Sequence, residues 1–294
     1  MKHAFLIIAH HQFEILSKML RILDNNKVDF FILIDKKTGD FPRLQLEESC
    51  TNSKIYFTDR MSVYWGGYSQ VECTLRLLDA AAKGNYDYYH LLSGADFPVK
   101  SNDYILNYFE QNPPYQYVHF ERKTVQDKYV DRLRYHSFFQ DTRHKFLKQV
   151  DRVIRRAERA FGYSRLKNNP IKEFQYGSQW FSITHSFATY ILNQKEWIHD
   201  TFKDTLCCDE LFVQTLLVNS PFKNEVVPCA FDDNYEACLR AIDWKRGDRK
   251  EGHPYIWQNS DYESLIRSPY LFARKFDLSV DSNIIDLLYE YCKL

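Results

Sequence analysis

Apolar residues follow two habits along this chain: short unbroken runs, and runs spaced three and four apart. Residues 2–9 form a short apolar run that ends at His10-His11, and 13–23 carry Phe13, Leu16, Leu20 and Leu23 at helical spacing. The pattern predicts a strand followed by a helix. It continues with strands over 29–34, 54–57 and 86–92 and an amphipathic helix over 70–82. Short strands alternating with helices predict an α/β domain with a mostly parallel sheet, whose ligands bind beyond the carboxyl ends of the strands. The polar residues closing each strand are therefore candidates for chemistry.

Downstream, 102–112 read as a helix stopped by Pro113-Pro114, and 117–120 as another strand. The texture then changes. Residues 121–167 are dense in Lys and Arg, and 143–161 place Phe146, Leu147, Val150, Val153, Ile154, Ala157 and Phe161 at helical spacing, which predicts an amphipathic helix with a basic outer face. The ordinary reading is a solvated surface helix, with peripheral contact to a membrane surface as the alternative. A strand over 179–184 and helices over 186–192, 209–218 and 284–292 complete the expectation. No internal repeat, low-complexity tract or Gly/Ser linker interrupts the chain, so one domain over 1–294 is expected.

Composition narrows the function. Lys+Arg and Asp+Glu both total 39, which leaves no global basic field for nucleic acid. Aromatics reach 16%, with 21 Tyr and 22 Phe, and suit either core packing or stacking on sugar and base faces. Seven Cys, with no Cys-x-x-Cys pair, read as reduced thiols. The apolar start is too short to span a membrane and lacks a small-residue cleavage site, so a cytoplasmic place is expected, with the inner face of a membrane as the alternative.

Nucleotide-binding glycine fingerprints, the P-loop and the serine-hydrolase elbow are absent, and so is any Asp-x-Asp pair that would hold a divalent ion against a diphosphate. Four clusters remain. Ser93-Gly94-Ala95-Asp96-Phe97-Pro98 follows a strand and reads as a ligand-approach loop or as a tight turn with an Asx cap. Tyr64-Trp65-Gly66-Gly67-Tyr68 precedes a helix and fits a planar or saccharide group, or a structural turn packed by Trp65. In Cys207-Cys208-Asp209-Glu210, Asp209 is placed to cap a helix, while Glu210 beside apolar neighbours could act as a general base. Arg274 and Lys275, inside the apolar 268–277 stretch, call for an anion, either phosphate or a protein carboxylate.

At these clusters the chain resembles the core 2/I-branching enzyme family, which also contains the peptide O-xylosyltransferases. Ile32-Leu33-Ile34-Asp35-Lys36, Val63 to Ser69, Leu92 to Pro98, Gly177-Ser178-Gln179-Trp180-Phe181, Asp209-Glu210 and Leu271 to Asp277 occur in that family's order over nearly the whole length. The resemblance implies a type-A glycosyltransferase fold and metal-independent, inverting transfer of a sugar, N-acetylglucosamine first, from a UDP-sugar donor to a glycan acceptor. It implies Glu210 as the base and Arg274 and Lys275 as the cations facing the leaving diphosphate. Asp35, Trp65, Gly66 and Asp96 would contact the donor, and Asp243 and Trp244 the acceptor. Residues 1–120 would be the nucleotide-binding half and 121–294 the acceptor-binding and catalytic half. Two departures stand out: the family's second diphosphate arginine falls in register near Gly252, with Arg246 and Arg249 as displaced candidates, and 121–167 match poorly.

Two other readings compete. Strand-end His10, His11, Asp35, Asp59, His90 and Asp96 could ligate metals in a phosphoesterase. A non-catalytic sugar-nucleotide or glycan binder needs no base at all.

Overall fold

The computed structural model describes all residues except 143, 172 and 249–251, and except the side chains at 123–127 and 168. Its strands are β1 (His3–Ala9), β2 (Val28–Ile34), β3 (Lys54–Phe57), β4 (Tyr88–Ser93), β5 (Asp96–Pro98), β6 (Tyr117–Val118), β7 (Phe181–Thr184), β8 (Arg240–Ile242) and β9 (Phe272–Arg274). The main sheet runs β3-β2-β1-β4-β7-β6, and β5-β9-β8 form a second, smaller sheet.

β1, β2, β3 and β4 are mutually parallel, as unbroken apolar runs such as Phe5-Leu6-Ile7 and Phe30 to Ile34 require when both sheet faces are covered. Helix Ser69–Ala81 packs on β1 and β2, and helix Phe13–Leu23 packs against β5 and helix Asn283–Cys292. The α/β, Rossmann-like, mostly parallel sheet flanked by helices is thus the observed architecture. β7 departs from it. It pairs antiparallel to both β4 and β6, because the chain leaves β6, travels through the basic segment, and re-enters the sheet from the opposite end.

Several boundaries moved. The helix expected over 209–218 is a single 3-10 turn, Cys208–Glu210, followed by helix Phe212–Val218. The helix expected over 143–161 runs Lys145–Ala160, and helices Lys123–Arg134 and Lys195–Phe202 had no sequence expectation. Among the described residues no helix is long and apolar enough to cross a membrane. All seven cysteines are free thiols.

Candidate active site

Register explains why the strand-end residues meet. Ala9 pairs with Ile34 and Ile8 with Ser93, so β1, β2 and β4 end level with one another. Asp35 N–H then donates to Ala9 O at 2.9 Å, and Gly94 N–H to Ile8 O at 3.0 Å. A Cβ at Gly94 would stand 2.8 Å from that of Ala9, which is why a residue without a side chain occupies the turn.

From this rim the Ser93–Asp96 loop folds into its turn reading. Asp96 is fully buried; its carboxylate accepts from Ser93 N–H at 2.8 Å and Ser93 Oγ at 2.7 Å. Arg274, delivered by the antiparallel pairing of β9 with β5, completes the set with Nη1 2.6 Å from Asp96 Oδ1. Its guanidinium also lies over the Trp180 ring, 4.3 Å from the centroid. The anion held against Arg274 in this structure is thus the Asp96 carboxylate, with 19% of the Arg274 side chain still exposed. The adjacent Lys275 differs: its ammonium has no hydrogen-bond or ion-pair partner among the described residues. Burial, and then the neighbouring Arg274 charge, hold its pKa below the usual lysine value. His10 and His11 lie beside it with tilted rings, centroids 4.0 Å apart; burial lowers both imidazoles below the ordinary histidine range, helped at His10 by His11 and at both by the Lys275 charge.

Asp35 is likewise held locally, with Oδ2 2.6 Å from Lys37 Nζ and Oδ1 2.9 Å from Lys37 N. Lys37 Nζ sits 4.4 Å from the Tyr64 ring centroid, and Lys37, Tyr64, Thr142 and His144 line a cleft of about 270 Å³. Gly66 takes φ +72°, and its carbonyl accepts from Cys207 N at 2.7 Å, joining the aromatic turn to the Cys207–Glu210 segment. Trp65 does not pack this turn, as expected of a structural role; it is 67% exposed, and a Cβ at Gly252 would meet its ring at 2.7 Å.

Glu210 stands at the end of that segment. Gly177 N–H donates to its carbonyl at 2.9 Å, fixing the backbone, and Arg132 Nη1 lies 3.1 Å from Oε2. Tyr176 bonds to the same carboxylate and stacks on Tyr129 at 3.7 Å between centroids. Burial raises the Glu210 carboxyl above the usual range, against the opposing pull of Arg132, yet 27% of the side chain stays exposed. Asp209 points the other way. It is buried, accepts from Gln70 Nε2 at 3.1 Å, and leaves Oδ1 without a partner; burial and the Glu210 charge push its pKa upward. The helix-capping role expected for Asp209 is not observed, since helix Phe212–Val218 carries no side-chain cap.

Asp243 accepts from Lys245 N and Arg246 N and pairs with Arg246 Nε at 2.6 Å, while Trp244 beside it is half-buried. Arg246 reaches on to Asp261 at 2.8 Å and stacks on Tyr255, so two carboxylates already match its charge. Arg249, the other candidate, lies outside the described residues.

The phosphoesterase constellation does not assemble. His90 is wholly buried between His3 and Ser182, Asp96 belongs to Arg274, and among the described residues no three His, Cys, Asp or Glu side chains are placed to share a cation. Sequence reading missed Arg132, Tyr129, Tyr176 and Gln70, whose partners lie far along the chain and leave no local signal.

Residues 3–265 match the Core-2/I-Branching enzyme family. The human N-acetyllactosaminide β-1,6-N-acetylglucosaminyl-transferase is 22% identical over 94% of this chain and 68% of its own length. The human β-1,3-galactosyl-O-glycosyl-glycoprotein β-1,6-N-acetylglucosaminyltransferase is 24% identical over 99% and 69%. Xylosyltransferase 2 of Rattus norvegicus is 22% identical over 97% of this chain, which spans only 33% of that protein. Among solved structures, mouse xyloside xylosyltransferase 1 in its apo form aligns with a TM-score of 0.41 and 10% identity, covering 92% of this chain and 96% of that one. Matched over most of its length, the chain belongs to the Core-2/I-Branching enzyme family, a family of glycosyltransferases.

Proposed function

We propose that the protein transfers a sugar, N-acetylglucosamine first, from a UDP-sugar to a glycan hydroxyl with inversion and without a divalent cation. Xylose is the second donor to test, since the relatives' names divide between the two sugars. In this reading the acceptor hydroxyl gives its proton to Glu210 as its oxygen bonds to the anomeric carbon. The bond from that carbon to the diphosphate oxygen breaks on the opposite face, and the negative charge leaves with UDP. Lys275 meets that charge, and Arg274, locked to Asp96, fixes the strand end that presents Lys275. Asp35, Trp65 and Gly66 would line the donor side, and Asp243 and Trp244 the acceptor side.

The observation that carries this reading is the Glu210 carboxylate: backbone-locked, oriented by Arg132 and Tyr176, raised by burial and still partly exposed. A general base needs such a combination of raised basicity and access. A fixed cation at the departing oxygen can contribute on the order of 3 kcal/mol to the barrier.

The test is a panel of UDP-sugars with glycan acceptors, run with and without chelator, on wild type and Glu210→Gln. Turnover that survives chelation and drops about a thousandfold or more in the variant, with donor affinity intact by calorimetry, supports the proposal. Equal turnover in the variant removes Glu210 as the base, and activity that disappears with chelator and returns with added metal removes the metal-free mechanism.

A further inference from the structure

Helix Lys145–Ala160 turns both of its carboxylates inward. Asp151 accepts from Phe138 N and Phe139 N at 3.0 Å each, and Glu158 accepts from His136 N at 2.8 Å. The outer surface therefore carries no acid, and it divides into two rows. Phe146, Val153, Ala157 and Ala160 share one face at helical spacing and lead into Phe161; Phe146, Val153 and Phe161 are 72%, 62% and 87% exposed. Beside them run Lys145, Lys148, Arg152, Arg156 and Arg159, spaced three and four apart and all exposed. Lys145, Lys148, Arg152 and Arg156 make no ion pair among the described residues, and Arg152, Arg155, Arg156 and Arg159 surround a hollow of about 180 Å³.

We propose that this face docks on a bilayer surface rich in anionic headgroups, with the Phe146–Phe161 ridge dipping below the headgroups and the basic row meeting their charge. An apolar ridge alone would fit many partners, and a basic row alone would fit any polyanion. Side by side on one helix they fit an interface that is apolar beneath and negative at its surface. The formal charge of the whole chain is zero, so this attraction belongs to the helix and not to the protein at large. The residues leading into the helix, Thr142 and His144, line the cleft beside Lys37 and Tyr64, so the docking face and the candidate site are neighbours in the chain. Docking itself does not depend on the reaction assigned to that site.

Vesicle co-sedimentation of the full chain tests it, with phosphatidylglycerol–phosphatidylcholine and pure phosphatidylcholine vesicles at low and high salt. Binding to the anionic vesicles only, weakened by salt, is expected. Arg152→Gln/Arg156→Gln should weaken it about fivefold per cation removed. Phe146→Ser/Val153→Ser, which keeps every charge and alters only exposed positions, should weaken it at least as much, and Phe161→Trp emission should shift to the blue on anionic vesicles. Absence of binding overturns the proposal. So does binding that both double variants retain, or binding that survives loss of the ridge and depends on charge alone. A dimer in lipid-free solution that Phe146→Ser/Val153→Ser dissolves would assign the face to a second copy of the chain and equally overturn it.

Discussion

Arg132 Nη1 stands 3.1 Å from Glu210 Oε2, tying the basic segment after β6 to the carboxylate after Cys208. The contact orients Glu210, and the cation also lowers its basicity relative to what burial alone would set. Removing the cation should therefore raise the carboxyl pKa. In Arg132→Ala the acid limb of the kcat/KM profile is expected to move to higher pH by about one unit or more, while Arg132→Lys keeps it near the wild-type position. A limb that stays put in Arg132→Ala would separate Arg132 from the titration of the base.

Asp209 offers a stability signature with a definite sign. Its native pKa is raised by burial and by Glu210, so the native state holds that proton at pH values where the unfolded chain has released it. The associated stability is complete below the unfolded carboxylate value and is lost as pH rises through the raised native one. Asp209→Asn removes this dependence. The unfolding free energy of the variant relative to wild type should grow as pH rises from the ordinary carboxylate range through that native value, as measured by urea melts at several pH values. A constant difference would contradict the raised pKa.

Breaking the buried pair that joins β5 to β9 should be costly. Asp96 is fully buried and Arg274 is 19% exposed, so Asp96→Asn leaves a guanidinium with only neutral partners in a poorly solvated place. A loss of about 3 kcal/mol in urea unfolding is expected. A loss under about 1 kcal/mol would mean that water or another group takes over the charge.

Lys275 predicts the opposite split. No partner is lost when it is truncated, so Lys275→Ala should change stability by less than about 1 kcal/mol. UDP affinity, measured by calorimetry, should fall about tenfold or more. Since burial and Arg274 lower the ammonium pKa, wild-type affinity should decline as pH rises toward the usual lysine range, and the variant should lack that decline. Equal UDP affinity in wild type and variant would place the diphosphate elsewhere.

Period and run length were enough to read the parallel core. β1, β2 and β3 and helices Phe13–Leu23 and Ser69–Ala81 fall within a residue or two of the expected spans, because a strand buried on both faces and a helix buried on one leave different local patterns. Strand-end residues were legible for the same reason, since any polar residue closing such a strand must sit at the rim. The small sheet was not. Strands of three residues such as β5, β8 and β9 carry too few positions to show a period, and Arg240, which donates to Leu91 O, Phe181 O and Ser182 Oγ from full burial, reads in sequence as an ordinary surface charge.

What the sequence by itself determined is the α/β order, the rim of polar strand ends, and the residue types able to act there, because these depend on neighbours within a helical turn or a strand. Only the tertiary structure decided which charges are matched and which stay open. Arg274 lies 178 residues from Asp96, and Arg132 lies 78 residues from Glu210. Nothing local distinguishes Arg274, held by a carboxylate, from Lys275 next to it, which is not. Coulomb energy depends on distance and burial in space, and the folded chain alone sets both.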